Sequence, residues 1–155
     1  MKICGLTDLE QALAIAAMGV DAIGVIGVAG TPRYVKDTPR RDLFSQLAQH
    51  CPEVHRVWVV ADASEEELDA ALQGDGTPTV VQLHGKETPE QCLALRQRHP
   101  KTSVWKALRL RSLEDLKSVE NYLESVDALL LDAWSPDQLG GCLLYTSDAA
   151  DDVVG

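Results

Sequence analysis

Short β-branched runs alternate along this chain with amphipathic helical stretches, and this alternation limits the fold more than any other feature. Ile23-Gly24-Val25-Ile26, Val57-Trp58-Val59-Val60, Val80-Val81-Gln82-Leu83, Val104-Trp105-Lys106-Ala107-Leu108 and Ala128 to Leu131 read as buried strands. Lys2-Ile3-Cys4 forms a further short strand at the start. From the fourth strand on, strands begin at Thr79, Ser103 and Asp127, the repeat of one strand, one helix and two short loops. Strict βα alternation implies a parallel sheet flanked by helices. With right-handed crossovers it leaves two architectures, a closing barrel or an open doubly wound sheet.

Helix starts carry their own signals. Thr7-Asp8-Leu9-Glu10 and Ser64-Glu65-Glu66-Glu67 have the spacing of capping boxes, in which a hydroxyl and a carboxylate satisfy free amides. Thr88-Pro89-Glu90-Gln91 adds proline at the first helical position, and Ser112-Leu113-Glu114-Asp115 is a weaker version. Leu9, Ala12, Leu13, Ala16 and Ala17 share one helical face that Gly19 ends. Leu113, Leu116, Val119 and Leu123 make a second stripe. Three segments break the rhythm: the long loop from Gly27 to Asp37, the tight connection Asp75-Gly76-Thr77-Pro78, and the terminus from Cys142 to Gly155. That terminus shows no capping signal and no helical stripe.

At 155 residues the chain is of single-domain size, able to bury roughly 68–70% of its unfolded surface. Its formal net charge of −10 disfavours nucleic acid and anionic membranes as partners, so an anionic small substrate needs a local positive site. No apolar run reaches the roughly 20 residues of a membrane helix, and the start Met1-Lys2-Ile3-Cys4, which reads directly as a strand, gives the expectation of no signal peptide. Cys4, Cys51, Cys92 and Cys142 lack metal-like spacing and fit a reducing cytoplasm. No P-loop, dinucleotide fingerprint or metal pattern is present.

Parallel α/β folds gather ligands at the carboxyl ends of their strands. Cys4, Arg33, Asp62, His84 and Asp132 all fall at or just past such ends. Cys4 is either a small buried apolar residue or a base favoured by the helix start behind it. Asp132, after Leu129-Leu130-Leu131, should enter a semi-buried mouth suited to a general acid; its rival role is to cap a loop. Arg33 is a two-pronged carboxylate ligand or an ordinary surface arginine. His84, in Gln82-Leu83-His84-Gly85, lines a site or bonds to loop backbone, and spacing alone does not choose between these. His50-Cys51 and His55 read as structural.

Together the segments Lys2-Ile3-Cys4-Gly5-Leu6-Thr7, Gly19-Val20-Asp21-Ala22-Ile23-Gly24, Thr31-Pro32-Arg33-Tyr34-Val35, Val81-Gln82-Leu83-His84-Gly85 and Leu131-Asp132-Ala133 with Gly140-Gly141 resemble the phosphoribosylanthranilate isomerases. These are (β/α)8 barrels of tryptophan biosynthesis. The resemblance implies an incomplete barrel of about six βα units over 1–141 and a non-homologous tail over 142–155. It implies an Amadori rearrangement of N-(5-phosphoribosyl)anthranilate without a cofactor, Asp132 as acid and Cys4 as base. Arg33 would hold the anthranilate carboxylate, with His84 and Gln82 lining the pocket. Two departures stand out. Val25-Ile26-Gly27-Val28-Ala29-Gly30 replaces an aromatic-rich, proline-containing stretch, and after Gly140-Gly141 the family pattern stops. A barrel short of two strands would expose its first and sixth strands as edges and lack the phosphate-binding loops. Impaired catalysis is therefore expected. The alternatives are another phosphosugar enzyme of βα type, or an inactive fragment that self-associates through its open edges.

Overall fold

A computed structural model describes residues 1–135 and 138–146, with side chains described through Asp132. The chain divides into two compact units, Met1–Val81 and Gln82–Gly155. The boundary falls inside the fourth strand.

The first unit holds β1 (Lys2–Cys4), α1 (Leu9–Ala17), β2 (Ala22–Ile26), α2 (Asp37–His50), β3 (His55–Val60) and α3 (Glu65–Ala71). β1 pairs with β2 and β2 with β3, both parallel. The expected strands are therefore present and in the expected orientation. Ile23, Val25, Val57 and Val60 are buried on the sheet, and Leu43, Phe44 and Leu47 are buried on α2.

Helix α1 starts one residue later than its capping signal implies. Asp8 is the N-cap and its side chain makes no capping bond, so Thr7 and Glu10 are each one position out of register for the box. The helix still buries Ala12 and Ala16, and Gly19 ends it at φ +90°. At α3 the expectation holds, with Ser64 Oγ accepting from the Glu67 amide at 3.2 Å. α2 has no such signal. Its N-cap is Lys36, and its start is instead marked by Asp37, whose carboxylate pairs with Arg40 and Arg41 one turn on.

Arg41 then braces the connection ahead of the fourth strand. Its guanidinium donates to the carbonyls of Ala70, Gln73 and Asp75 at 2.7–2.8 Å, gathering acceptors from the last turn of α3 and the segment just after it. Gly76 sits beneath it at φ +69°, where a Cβ would run into the Arg41 carbonyl and lie 2.7 Å from its Cα. Gly76→Ala combines left-handed strain with backbone overlap and is expected to cost on the order of 3 kcal/mol. Urea unfolding of the two proteins checks this, and a loss below about 1 kcal/mol would show that the loop relaxes freely.

The second unit holds the end of β4 (Val80–Leu83), then α4 (Pro89–Arg98), β5 (Ser103–Leu110), α5 (Leu113–Tyr122), β6 (Ala128–Ser135) and β7 (Gln138–Thr146). Thr88 and Gln91 form the full reciprocal box at α4, with Pro89 at its first turn. At α5 the Asp115 carboxylate accepts from the Ser112 and Arg111 amides. The apolar stripe of α5 is not buried: Leu113 is 81% and Leu116 46% exposed. β5 and β6 are parallel, with Lys106 opposite Leu129 and Arg109 opposite Asp132.

The sixth strand is not an open edge. β7 pairs with it antiparallel from Ala128↔Thr146 to Ser135↔Gln138, with an irregularity between Ala133 and Ser135. The expected exposed edge is thus occupied by a strand whose second half, 142–146, comes from the terminal segment that shows no capping signal and no helical stripe. Backbone pairing needs no side-chain periodicity, which is why helix signals and apolar stripes did not reveal it. Part of the expected tail, 147–155, lies outside the described residues. No described helix is long and apolar enough to cross a membrane.

Candidate active site

In the first unit, β1 stops at Cys4 and the chain folds over the neighbouring strand. The amides of Gly5 and Leu6 both donate to the Gly24 carbonyl, at 2.9 and 3.3 Å. Cys4 lies opposite Gly24 in register. A Cβ at Gly24 would come within 2.9 Å of Cys4 Sγ, so the missing side chain makes room for the thiol. Cys4 itself is exposed rather than buried.

Gly5 adopts φ +86°, and Arg33 lies across it: a Cβ there would be 2.8 Å from Nη1 and 2.9 Å from Cδ. The unit therefore places Arg33 over the residue next to Cys4. The loop that carries Arg33 is anchored at both ends. Gly27 donates to the Val59 carbonyl at 2.7 Å, Val35 donates to the Ile26 carbonyl at 3.0 Å, and Thr31 Oγ1 donates to the Val28 carbonyl at 2.7 Å. Arg40 and Trp58, which the sequence reading passed over, support this loop from below. The Arg40 guanidinium stacks 4.6 Å from the Trp58 ring centre, and the Trp58 indole occupies the space a Gly27 side chain would need. Burial among these groups lowers the Arg40 pKa from its ordinary value. Asp62 is exposed, at φ 54°, past the end of β3. His50 and Cys51 line a shallow cavity with Asp21 and Glu53, next to the start of β2 and so at the opposite end from Gly27. Their structural reading fits that placement.

In the second unit Gln82 is buried on β4 and His84 is exposed one residue past the strand end. Asp132 is half-buried on β6, opposite Arg109 on β5 and Cys142 on β7. The structure thus groups Cys4 with Arg33 in one unit, and carries Gln82, His84 and Asp132 in the other.

A buried ion pair that the sequence did not announce underlies the His84 turn. Lys106 Nζ, 1% exposed, lies 2.9 Å from Glu87 Oε1. The same ammonium donates to the carbonyls of Gly85 at 2.7 Å and Leu83 at 3.4 Å. Glu87 Oε1 also accepts from the Gly85 amide at 2.9 Å, and the Glu87 carbonyl accepts from the Tyr122 hydroxyl at 2.7 Å. Lys106 stands in the middle of an apolar strand, and that was the signal available: a charge there requires a buried partner.

Cys92, on α4, borders this pair. Burial, opposed by the Lys106 charge, pushes its thiol up to about 11. Because the folded thiol holds its proton above its ordinary value of 9.0, folding stability should fall as pH rises from about 9 through about 11. Iodoacetamide labelling at pH 8 should modify Cys4 in the native protein and Cys92 only in denaturant. Equal labelling of both under native conditions would contradict this burial.

The family model for N-(5'phosphoribosyl)anthranilate (PRA) isomerase matches residues 1–143. The chain belongs to the phosphoribosylanthranilate isomerase family. N-(5'-phosphoribosyl)anthranilate isomerases of Synechococcus elongatus and Nostoc punctiforme are 45% and 43% identical to it over 141 residues, 91% of this chain. Phosphoribosyl anthranilate isomerase from Thermotoga maritima superposes with a TM-score of 0.76 at 31% identity, covering 88% of this chain and 62% of that one. A second isomerase structure holds reduced 1-(o-carboxyphenylamino)-1-deoxyribulose 5-phosphate and superposes at 0.75 with 31% identity, covering 86% of this chain and 64% of that one. The fold class is accordingly that of the isomerase barrels, with six strand repeats in this chain. The chain spans 64% of the Synechococcus relative and 65% of the Nostoc relative.

Proposed function

We propose that this chain carries the acid/base half of an N-(5-phosphoribosyl)anthranilate isomerase. The observation that supports the reading most is the family match over residues 1–143, which covers every candidate residue. Asp132 gives its proton to the ribose ring oxygen, the C1–O bond breaks, and the ring opens to a protonated imine. Cys4 takes the proton from C2, leaving an enolamine that tautomerises to the ketone. Arg33 holds the anthranilate carboxylate in a two-pronged contact, and Gln82 and His84 line the pocket. Each step moves a proton, so the chemistry asks for no cofactor or metal. The substrate is a small anionic phosphosugar, met in the cytoplasm.

In this reading residues 1–141 are the catalytic portion and 142–155 a tail of separate origin. Barrels of this class take their phosphate grip from the loops after strands seven and eight. The 155-residue chain by itself therefore turns substrate over weakly, because remote binding energy positions the reacting carbons. Self-association through open edges is less favoured, since β7 occupies one of the edges it would use.

Loss of substrate fluorescence tests the proposal on two proteins: the chain as it stands, and residues 1–141 fused to the carboxyl-terminal third of the Synechococcus relative. The fusion is expected to turn over at least about 100-fold faster in kcat/KM. Equal, robust rates would overturn the impairment, and a folded but inactive fusion would overturn the assigned function.

A further inference from the structure

We infer that Lys106 is a positioning residue for His84, acting through the backbone on either side of it rather than on any ligand. The inference rests on the proposed role of His84 in the pocket. His84 is exposed, and the residues on either side of it are held from beneath. Lys106 Nζ grips the carbonyls of Leu83 and Gly85, which bracket the histidine in sequence. Glu87 completes the loop by accepting from the Gly85 amide and from Lys106 with a single oxygen, Oε1. Tyr122 reaches across from α5 to hold the Glu87 carbonyl and presents its ring 5.9 Å from the lysine nitrogen.

The direction of the lysine matters. Arg109 and Asp132 are in register, as are Lys106 and Leu129, so along both strands Lys106 and Asp132 project from opposite faces. Lys106 therefore cannot share a pocket with the proposed acid, and packs instead among Cys92, Glu87 and Tyr122. A core made for stability alone would gain by replacing such a pair with apolar side chains of similar volume. The charge pair does what those could not, since three donors on one nitrogen bind two carbonyls and a carboxylate at once. The geometry fixes the exit of β4 and hence the direction in which His84 leaves the sheet.

NMR on the full chain tests this. The Gly85 amide should be protected from exchange about 100-fold, and exchange at the unprotected rate in the intact protein would by itself overturn the clamp. Glu87→Gln keeps an acceptor for both Gly85 and Lys106 and should retain the parent His84 imidazole signals. Lys106→Met/Glu87→Gln removes the grip without stranding a charge. It should shift or multiply those signals and lower Gly85 protection about tenfold, while Leu95 and Val104 amides keep theirs. Unchanged His84 signals in the double variant would sink the inference; if that variant does not fold, the parent exchange and the Glu87→Gln spectrum decide. In the fusion protein, affinity for reduced carboxyphenylamino-deoxyribulose phosphate should fall about tenfold in the double variant and no further when His84→Ala is added. Failure of the parent fusion to bind that compound would count against the proposed function, leaving the spectroscopic result to judge the clamp.

Discussion

Lys106→Met alone is expected to destabilise the chain by about 3–5 kcal/mol, a large share of the roughly 5–15 kcal/mol that holds a domain together. The loss comes less from the missing attraction than from what remains. Glu87 is 6% exposed, and its carboxylate would keep its place without the ammonium that faces it at 2.9 Å. The carbonyls of Leu83 and Gly85 would lose a buried donor as well. Adding Glu87→Gln removes the stranded charge while leaving the Gly85 amide an acceptor, so the double variant should recover at least half of the loss. Urea unfolding followed by circular dichroism measures both. If the single and double variants unfold within about 0.5 kcal/mol of each other, burial of the carboxylate is not the source of the cost.

The same pair marks where sequence reasoning stopped. Period and cap signals located many of the regular elements, though not α2 or β7: Thr88 with Gln91, Ser64, Gly19 and the apolar runs of β2 to β6 each act locally, through bonds within a few residues. Lys106 and Glu87 lie 19 positions apart, and nothing local couples a lysine inside an apolar strand to a glutamate before a helix. Arg40 and Trp58 were missed for the same reason, since their contact joins a helix to a strand well along the chain. Cys4, Arg33, Asp62, His84 and Asp132 could be nominated because strand ends are predictable, whereas Gln82, inside β4, was offered only by the family resemblance. The glycines that make room for Cys4 and Arg33 needed coordinates, because their value lies in who approaches them. β7 was the largest omission. The βα alternation gave no reason to expect a hairpin strand beside β6, since its pairing is antiparallel where every other described pairing is parallel.

Asp132→Asn and Cys4→Ala should each lower kcat of the fusion protein by about 10²–10⁴, the range of a single general acid or base, with far smaller effects on KM. The two losses should not add, since a ring that never opens offers no acidic C2 proton to a base and one blocked step already limits the rate. Arg33→Met should behave differently. It removes a contact made alike in ground state and transition state, so KM should rise about 10- to 100-fold while kcat moves little. These patterns separate three roles that one activity figure would merge. The structure supplies the reason to expect a clean result at Cys4: Gly24 leaves its sulfur unobstructed, and the thiol is exposed, so its removal opens no cavity in the core. A Cys4→Ala protein with the parent kcat would therefore speak directly against sulfur as the base, and a rise in KM alone for Asp132→Asn would move the aspartate from proton donor to binding group.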